Sequence, residues 1–522
     1  MSRDKIVRRV VCADTEDQSD GAGLTLYCEI GETGEKWNCD SPAAALERIK
    51  ELSPREYWFF NTDYDLNNIF VEDRHKVLLT RLYHGSRLTS ASDCWGNRYF
   101  DLARFFPGAP LRKIGELVGL DKFPFAPDSL DYCFRDCEIV RAGLALVRTL
   151  TQSRGISGAA FKEWKNFYPF QFKKHSPWIM KMLRESYRGG RIETYKEGLM
   201  MGKIEQYDLK SAYPWAGLSA LPVPYSFHHV PSTKINEWTL CRIQVEIPDT
   251  CFCPPLGIRG KAGKVFYPTG TVSGWFWGAE FIGLPFPVKI LDAVQWDHET
   301  ICKDFFNWAL ALRRESQGLM AEYYKRLANS LTGRFGLRNS GRVIRGENPG
   351  DKEDSRAWLN GRGLAMIIWD EENYQSPVEI VSYITAVVRR RLWDNLYKNG
   401  EDILYCHTDS IMGFAPLEVD SLELSGVGQF EKCMEGFSLD LRGPGLYNLD
   451  GKVRGRGVKN PARAMADGFD EWRAPVRSIA AFRGGVKAND WIENRREISG
   501  GYQGRVFADG TSRPFQVREL EL

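Results

Sequence analysis

The chain has 522 residues, 43% of them hydrophobic and 26% charged, an ordinary globular composition that excludes a disordered or fibrous protein and leaves length for two or more cores. A formal net charge of +2 from 70 basic and 68 acidic residues is silent about nucleic acid, since a basic channel and an acidic site can coexist. The 12 cysteines include no CxxC pair, so they read as reduced thiols of a cytoplasmic protein rather than zinc or iron–sulfur ligands. The N-terminus reaches acidic residues before a signal-peptide core could form, and no apolar run is long enough to span a bilayer, so no membrane partner is expected.

The first 150 or so residues alternate strand and helix patterns, as an α/β domain does. A β-branched run, KIVRRVVCAD, leads into ADTED, where Asp14 and Glu16 lie two apart and project from one face. An aromatic strand, YWFF, runs into NTDYD and ends at Asp65. A helix is predicted over 129–150, with Tyr132 and Asp136 at i and i+4 on one side. Acids gathered this way repel by about 4 kcal/mol per close pair near a surface unless divalent cations sit between them. Two such ions suit phosphodiester hydrolysis, one generating hydroxide and the other steadying the leaving oxygen, with a tyrosine to orient the water. Any one of these short patterns is as well explained by solvated surface acids; all of them in order are harder to explain so.

Further along, KIEQYDLKSAYP is a strand ending at Asp208, followed by a helix over about 302–336 and another over about 378–399 that stops at Gly400. The run ILYCHTDSIMGF, residues 403–414, is a hairpin pinched at His-Thr-Asp-Ser, and a lone Asp409 among apolar neighbours calls for a cation. Asp208 and Asp409 from separate strands could hold two Mg²⁺ ions for phosphoryl transfer. Arg313 near the start of the 302–336 helix and Lys325 further along could reach a triphosphate, although basic residues on a helix are more often its wet face. Asn329, Ser330 and Gly333 are expected to interrupt that helix with small residues where a base pair approaches the backbone. Tyr213, five residues after Asp208, could pack under the sugar and exclude a 2′-hydroxyl.

Together these stretches resemble the family B DNA polymerases over nearly the whole chain. DTE, NTDYD and YCFRD are similar to the three exonuclease motifs, and DLKSAYP, KRLANSLTG and HTDS to polymerase motifs A, B and C. YRGG, Tyr187 to Gly190, is similar to the linker motif that couples the two activities. The compact size and two insertions most resemble the small protein-primed bacteriophage branch. The resemblance implies a mixed α/β and α+β multidomain fold: an RNase H-like 3′–5′ exonuclease domain over 1–150, then a right-hand polymerase over 151–522. Within the latter it implies a palm at about 151–219 and 373–475, a first insertion at 220–300, fingers at 301–336, a second insertion at 337–372 and a thumb at 476–522. It further implies that Asp14, Glu16, Asp65 and Asp136 ligate exonuclease metals, assisted by Tyr132, and that Asp208, Asp409 and the backbone of Leu209 serve the polymerase metals. Leu209, Tyr213, Arg313, Lys325 and Asn329 would form the nucleotide pocket; Asn61, Tyr64, Lys122, Tyr187, Gly189, Gly190 and Tyr447 would contact DNA. The implied cofactor is Mg²⁺, with Mn²⁺ as the variant, two ions per site. The implied partners are template and primer DNA, deoxynucleoside triphosphates and a terminal priming protein, around a monomer in a phage host's cytoplasm.

Three residues depart from the family pattern: His407 stands where motif C has aspartate, Thr332 where motif B has tyrosine, and Gly445 where the KxY motif has lysine. A neutral imidazole ligates a borderline metal better than Mg²⁺, so a raised Mn²⁺ preference is one expectation; that His407 only hydrogen-bonds its hairpin is the other. Thr332 and Gly445 imply lower fidelity or a weaker primer grip. A scaffold or nuclease that has lost synthesis, and a polymerase using ordinary 3′-hydroxyls or no primer, stand as alternatives.

Overall fold

The β-branched residues that open the chain form the strand Arg9–Asp17, and strict alternation buries both of its faces. Val11 and Ala13 enter one core while Val10 and Cys12 enter another, beneath the helix Leu130–Leu150. This computed structural model describes residues 9–17, 24–85, 87–261, 263–420, 426–443, 445–475, 491–497, 504–507 and 510–520. Arg9–Asp17 pairs in parallel with Arg55–Phe59, which pairs in parallel with Arg98–Asp101, and antiparallel with Leu24–Gly31. These strands lie inside a ten-stranded sheet. Three strands of that sheet come from far along the chain: Asn339–Gly346 pairs with Leu79–His84, and Leu364–Glu371 and Ala357–Leu359 extend it outward. The segment expected as a second insertion is therefore an edge extension of the N-terminal sheet, a case of β-augmentation within one chain.

The second sheet has seven antiparallel strands in the order Lys452–Gly455, Leu446–Leu449, Phe430–Gly443, Gly198–Leu209, Ser410–Phe414, Ile403–His407, Ile192–Thr194. Its centre is Gly198–Leu209, flanked by Ser410–Phe414 and Phe430–Gly443. Residues 220–300 carry a separate four-stranded sheet with its own core, built from alternating residues such as Cys241, Ile243, Val245 and Ile247. The long helix Val378–Asn399 ends at Gly400, whose φ of +53° favours glycine.

The helical region over 302–336 is two helices, Lys303–Glu315 and Gly318–Phe335, broken at Ser316 and Gln317 with Gly318 at φ +55°. Arg313 thus lies in the last turn of the first helix, not near the start of a continuous one. Asn329, Ser330 and Gly333 do not interrupt the second helix: its backbone ladder runs to Phe335, and the apolar stripe Tyr323, Leu327, Leu331 and Phe335 holds it to the core. Most of the expected thumb lies outside the described residues. Within the rest of it, Ser512 N–H donates to the Tyr195 carbonyl at 2.9 Å and Val517 N–H to Thr269 at 3.0 Å, tying the tail to both the seven-stranded sheet and the 220–300 unit. Among the described residues no helix is long and apolar enough to cross a membrane.

Candidate active sites

Two groups of carboxylates form, one on each large sheet. In the first, Asp14 and Glu16 leave the same face of Arg9–Asp17, toward the helix that carries Tyr132 and Asp136. Asp65 enters from the short helix Thr62–Ile69, where Thr15 fixes it by donating its backbone N–H (3.1 Å) and hydroxyl (2.8 Å) to Oδ1. All four acids are buried. Burial, then the charges of Asp65, Asp136 and Glu16, push the Asp14 carboxyl well above its ordinary range. Burial likewise raises Asp65 and Asp136, the latter against the opposing pull of Lys122. Lys122 bonds Asp136 Oδ2, and its ammonium lies 4.2 Å from the centre of the Tyr132 ring. Burial disfavours the Lys122 charge, but the Asp136 and Tyr132 bonds outweigh this and raise its pKa.

Asp65 Oδ2 and Asp136 Oδ1 are buried with no hydrogen-bond partner, and ligand atoms of Asp14, Glu16 and Cys133 lie within 4.8 Å of one another. Orphaned carboxylate oxygens suit hard divalent cations such as Mg²⁺. Two neighbours escaped the reading of the sequence. Asp101, a strand-end acid of the same type as Asp14, accepts from the backbone N–H of Asn61 at 3.0 Å and raises Asp65. The Cys133 thiol donates to Asp14 Oδ2 at 3.7 Å. Asn61 is exposed at φ +70°, and Tyr64 sits one turn into the same helix, half-buried.

The second group forms where two strands meet. Asp208 is registered against Ser410, and Leu209 N–H donates to the Asp409 carbonyl at 2.6 Å, so two aspartates some 200 residues apart share one strand end. Burial, then the charge of Asp208, raises Asp409 to about 6. Burial raises Asp208 as well, opposed by Arg456 and Lys325. The Leu209 side chain is wholly buried, which leaves only its backbone to face the site. Tyr213 is half-buried, its hydroxyl raised to about 12 by burial and by Asp409. Arg313 donates to the Ser211 hydroxyl at 3.1 Å, which holds it beside this strand end, while Lys325 and Asn329 share one exposed face of their helix.

His407 has partners of its own. Arg456 NH1 lies 2.8 Å from Nδ1, and a guanidinium only donates, so Nδ1 accepts and the proton of the neutral ring is on Nε2. Burial, then the Arg456 charge, lowers His407 to about 4, which keeps the ring neutral at pH 7. With Nδ1 engaged and Nε2 protonated, neither nitrogen offers a lone pair to a metal, which supports the hydrogen-bonding role over metal ligation.

The YRGG segment passes the tip of the hairpin that carries Asp409. A Cβ on Gly190 would lie 2.6 Å from Thr408 Cγ2, so only glycine lets this strand pass the hairpin tip, while Gly189 is exposed and open. Arg389 donates to the carbonyls of Arg188 and of Gly189 (3.2 Å) and pairs with Glu280 at 2.7 Å, all buried apart from Gly189. The Tyr187 ring packs against Gly336 at the end of the Gly318–Phe335 helix. Tyr447 is in the core of the seven-stranded sheet, its hydroxyl donating to Gln206 at 3.2 Å, rather than on an open surface.

The family described as DNA polymerase type B, organellar and viral, matches residues 121–354. A DNA-directed DNA polymerase of Enterobacteria phage PRD1 is 24% identical over 351 residues, 61% of this chain and 59% of that protein. The solved structure titled Phi29 DNA polymerase complexed with primer-template DNA and incoming nucleotide substrates superposes with a TM-score of 0.76 at 15% identity, over 94% of this chain and 100% of the other. The chain is thus similar to the family B DNA polymerases of the organellar and viral branch, by a family match over less than half of its length and by its fold. A second relative of this chain is a probable DNA polymerase of the fungus Neurospora intermedia, 26% identical over 332 residues, 55% of this chain and 34% of that one. The chain thus aligns with less than two thirds of the length of either of these two relatives.

Proposed function

We propose that this chain is a DNA-directed DNA polymerase with a 3′–5′ proofreading exonuclease, copying a viral or mobile-element genome. The observation that carries the reading is the gathering of remote acids into two separate groups, one on each large sheet, with the YRGG segment against the hairpin of the second. In the palm, Asp208, Asp409 and the Leu209 backbone would hold Mg²⁺, which when bound supplies charge compensation for the transferred phosphoryl group. The chain's own residues do the positioning. Tyr213 packs under the incoming sugar and disfavours a 2′-hydroxyl; Arg313, steadied by Ser211, and Lys325 meet the triphosphate; Asn329 lies one turn further along the same face. In the nuclease, Asp14, Glu16, Asp65 and Asp136 would hold the ions. Tyr132, kept in place by Lys122, orients the attacking water, and Asn61 and Tyr64 flank the frayed primer end. Tyr187, Gly189 and Gly190 guide the strand from one group to the other.

For initiation, the branch that the chain resembles favours a priming protein, and the 220–300 unit, with its own core, is the surface to receive it. Extension from an ordinary 3′-hydroxyl is chemically the same reaction and remains the second reading. A primed single-stranded circle incubated with Mg²⁺ tests the proposal: extension with all four nucleotides and primer degradation when they are withheld are expected. Binding without either reaction would leave a scaffold.

A further inference from the structure

Arg456 is an exposed cation at a site built to attract cations. Its charge acts on both Asp208 and Asp409, yet among the described residues it forms no ion pair with either. Its guanidinium instead bonds the neutral His407 ring at 2.8 Å, and its backbone N–H donates to the Gly445 carbonyl at 2.8 Å. Gly445 is part of the same seat. Its φ is +83°, which favours glycine, and a Cβ there would lie 3.1 Å from Arg456 Cβ, so a side chain at 445 would crowd the backbone seat of Arg456. Two of the departures, at 407 and 445, therefore meet at Arg456 in one local arrangement: a neutral acceptor, a glycine and an arginine between them.

A fixed positive charge beside two metal-binding carboxylates opposes metal binding, so its use lies with an anion that arrives later. A guanidinium has five N–H donors, one of which is spent on His407, Arg456 is exposed, and its planar fork matches a phosphate. We infer that Arg456 grips a backbone phosphate at the primer terminus, and that His407 is its positioning residue, holding the guanidinium off the aspartates without neutralising it. This rests on the polymerase reading above. It also predicts that an aspartate at 407 would capture Arg456 in an ion pair rather than improve the site.

The test measures binding of a primer–template oligonucleotide by fluorescence anisotropy from low to moderate salt, beside single-nucleotide incorporation. For R456A, affinity should fall roughly tenfold and the log–log salt slope shrink by about one, the loss of one phosphate contact. Its incorporation defect should fall on KM for DNA more than on kcat. R456K should keep the slope. H407A should lose part of the affinity, the H407A/R456A double variant should lose no more than R456A, and H407D should bind more weakly than wild type. A wild-type slope in R456A, or additive losses in the double variant, overturns the inference. A wild-type protein that binds primer–template but does not extend it overturns the polymerase reading instead, and the two failures are distinct.

Discussion

The group of acids on the N-terminal sheet and the pair on the central sheet handle crowded negative charge differently. The first draws its carboxylates from three elements, buries them all and sets one lysine against Asp136. The second keeps two aspartates at a half-open strand end, with a neutral histidine beside them and Arg456 and Lys325 at a distance. The difference suits the tasks proposed for them. A nuclease must hold its ions tightly around a single strand end, whereas a nucleotidyl-transfer site must admit a triphosphate that brings charge of its own.

The sharpest way to break the comparison is to silence one group at a time. D208N or D409N should lower extension by ~10³-fold while degradation of single-stranded DNA persists, and D14N or D65N should do the reverse, read on the same labelled primer. A substitution that abolished both would show that the groups are not independent. The Arg389–Glu280 pair supports the YRGG segment, and R389M leaves Glu280 buried and uncompensated, which should cost about 3–5 kcal/mol in urea unfolding.

Protonation separates the groups more finely. Asp14, Asp65 and Asp409 have folded-state pKa values above their unfolded ones, so each holds its proton more tightly when folded. In EDTA the stability tied to Asp409 should be full below about pH 4 and lost as the pH rises through about 6, with the buried group continuing the decline above that. Melting curves across this range should fall with pH in EDTA and flatten with Mg²⁺; D14N should melt roughly 1–3 °C higher than wild type in EDTA at pH 8. The smallest effect expected is at Thr332, buried with its hydroxyl unpartnered on the inner face of the Gly318–Phe335 helix. T332Y should lower misinsertion by roughly two- to tenfold in steady-state assays, and an unchanged ratio would remove Thr332 from the fidelity argument.

Much of this was legible in the sequence because the informative spacings are local. Asp14 and Glu16 follow the strand period, Tyr132 and Asp136 the helix period, and the hairpin around Asp409 is written in its own apolar runs. What was not legible depends on pairing at a distance. Arg456 meets His407 across 49 residues, from a turn whose composition gives no hint of a site. Asp101 reads as one more strand-end acid until Asn61 folds against it. The break at Ser316 and Gln317 hides inside a run that would otherwise continue as helix, and small residues at 329, 330 and 333 are tolerated because core packing outweighs their weak propensity.

The pairing of Asn339–Gly346 with Leu79–His84 has a mechanical consequence. A backbone ladder clamps the segment between the Gly318–Phe335 helix and the hairpin around Asp409 to the N-terminal sheet, so that segment cannot swing away without rupturing a sheet. If a mispaired end is to travel from synthesis to removal, the nucleic acid must peel away and cross a stationary body.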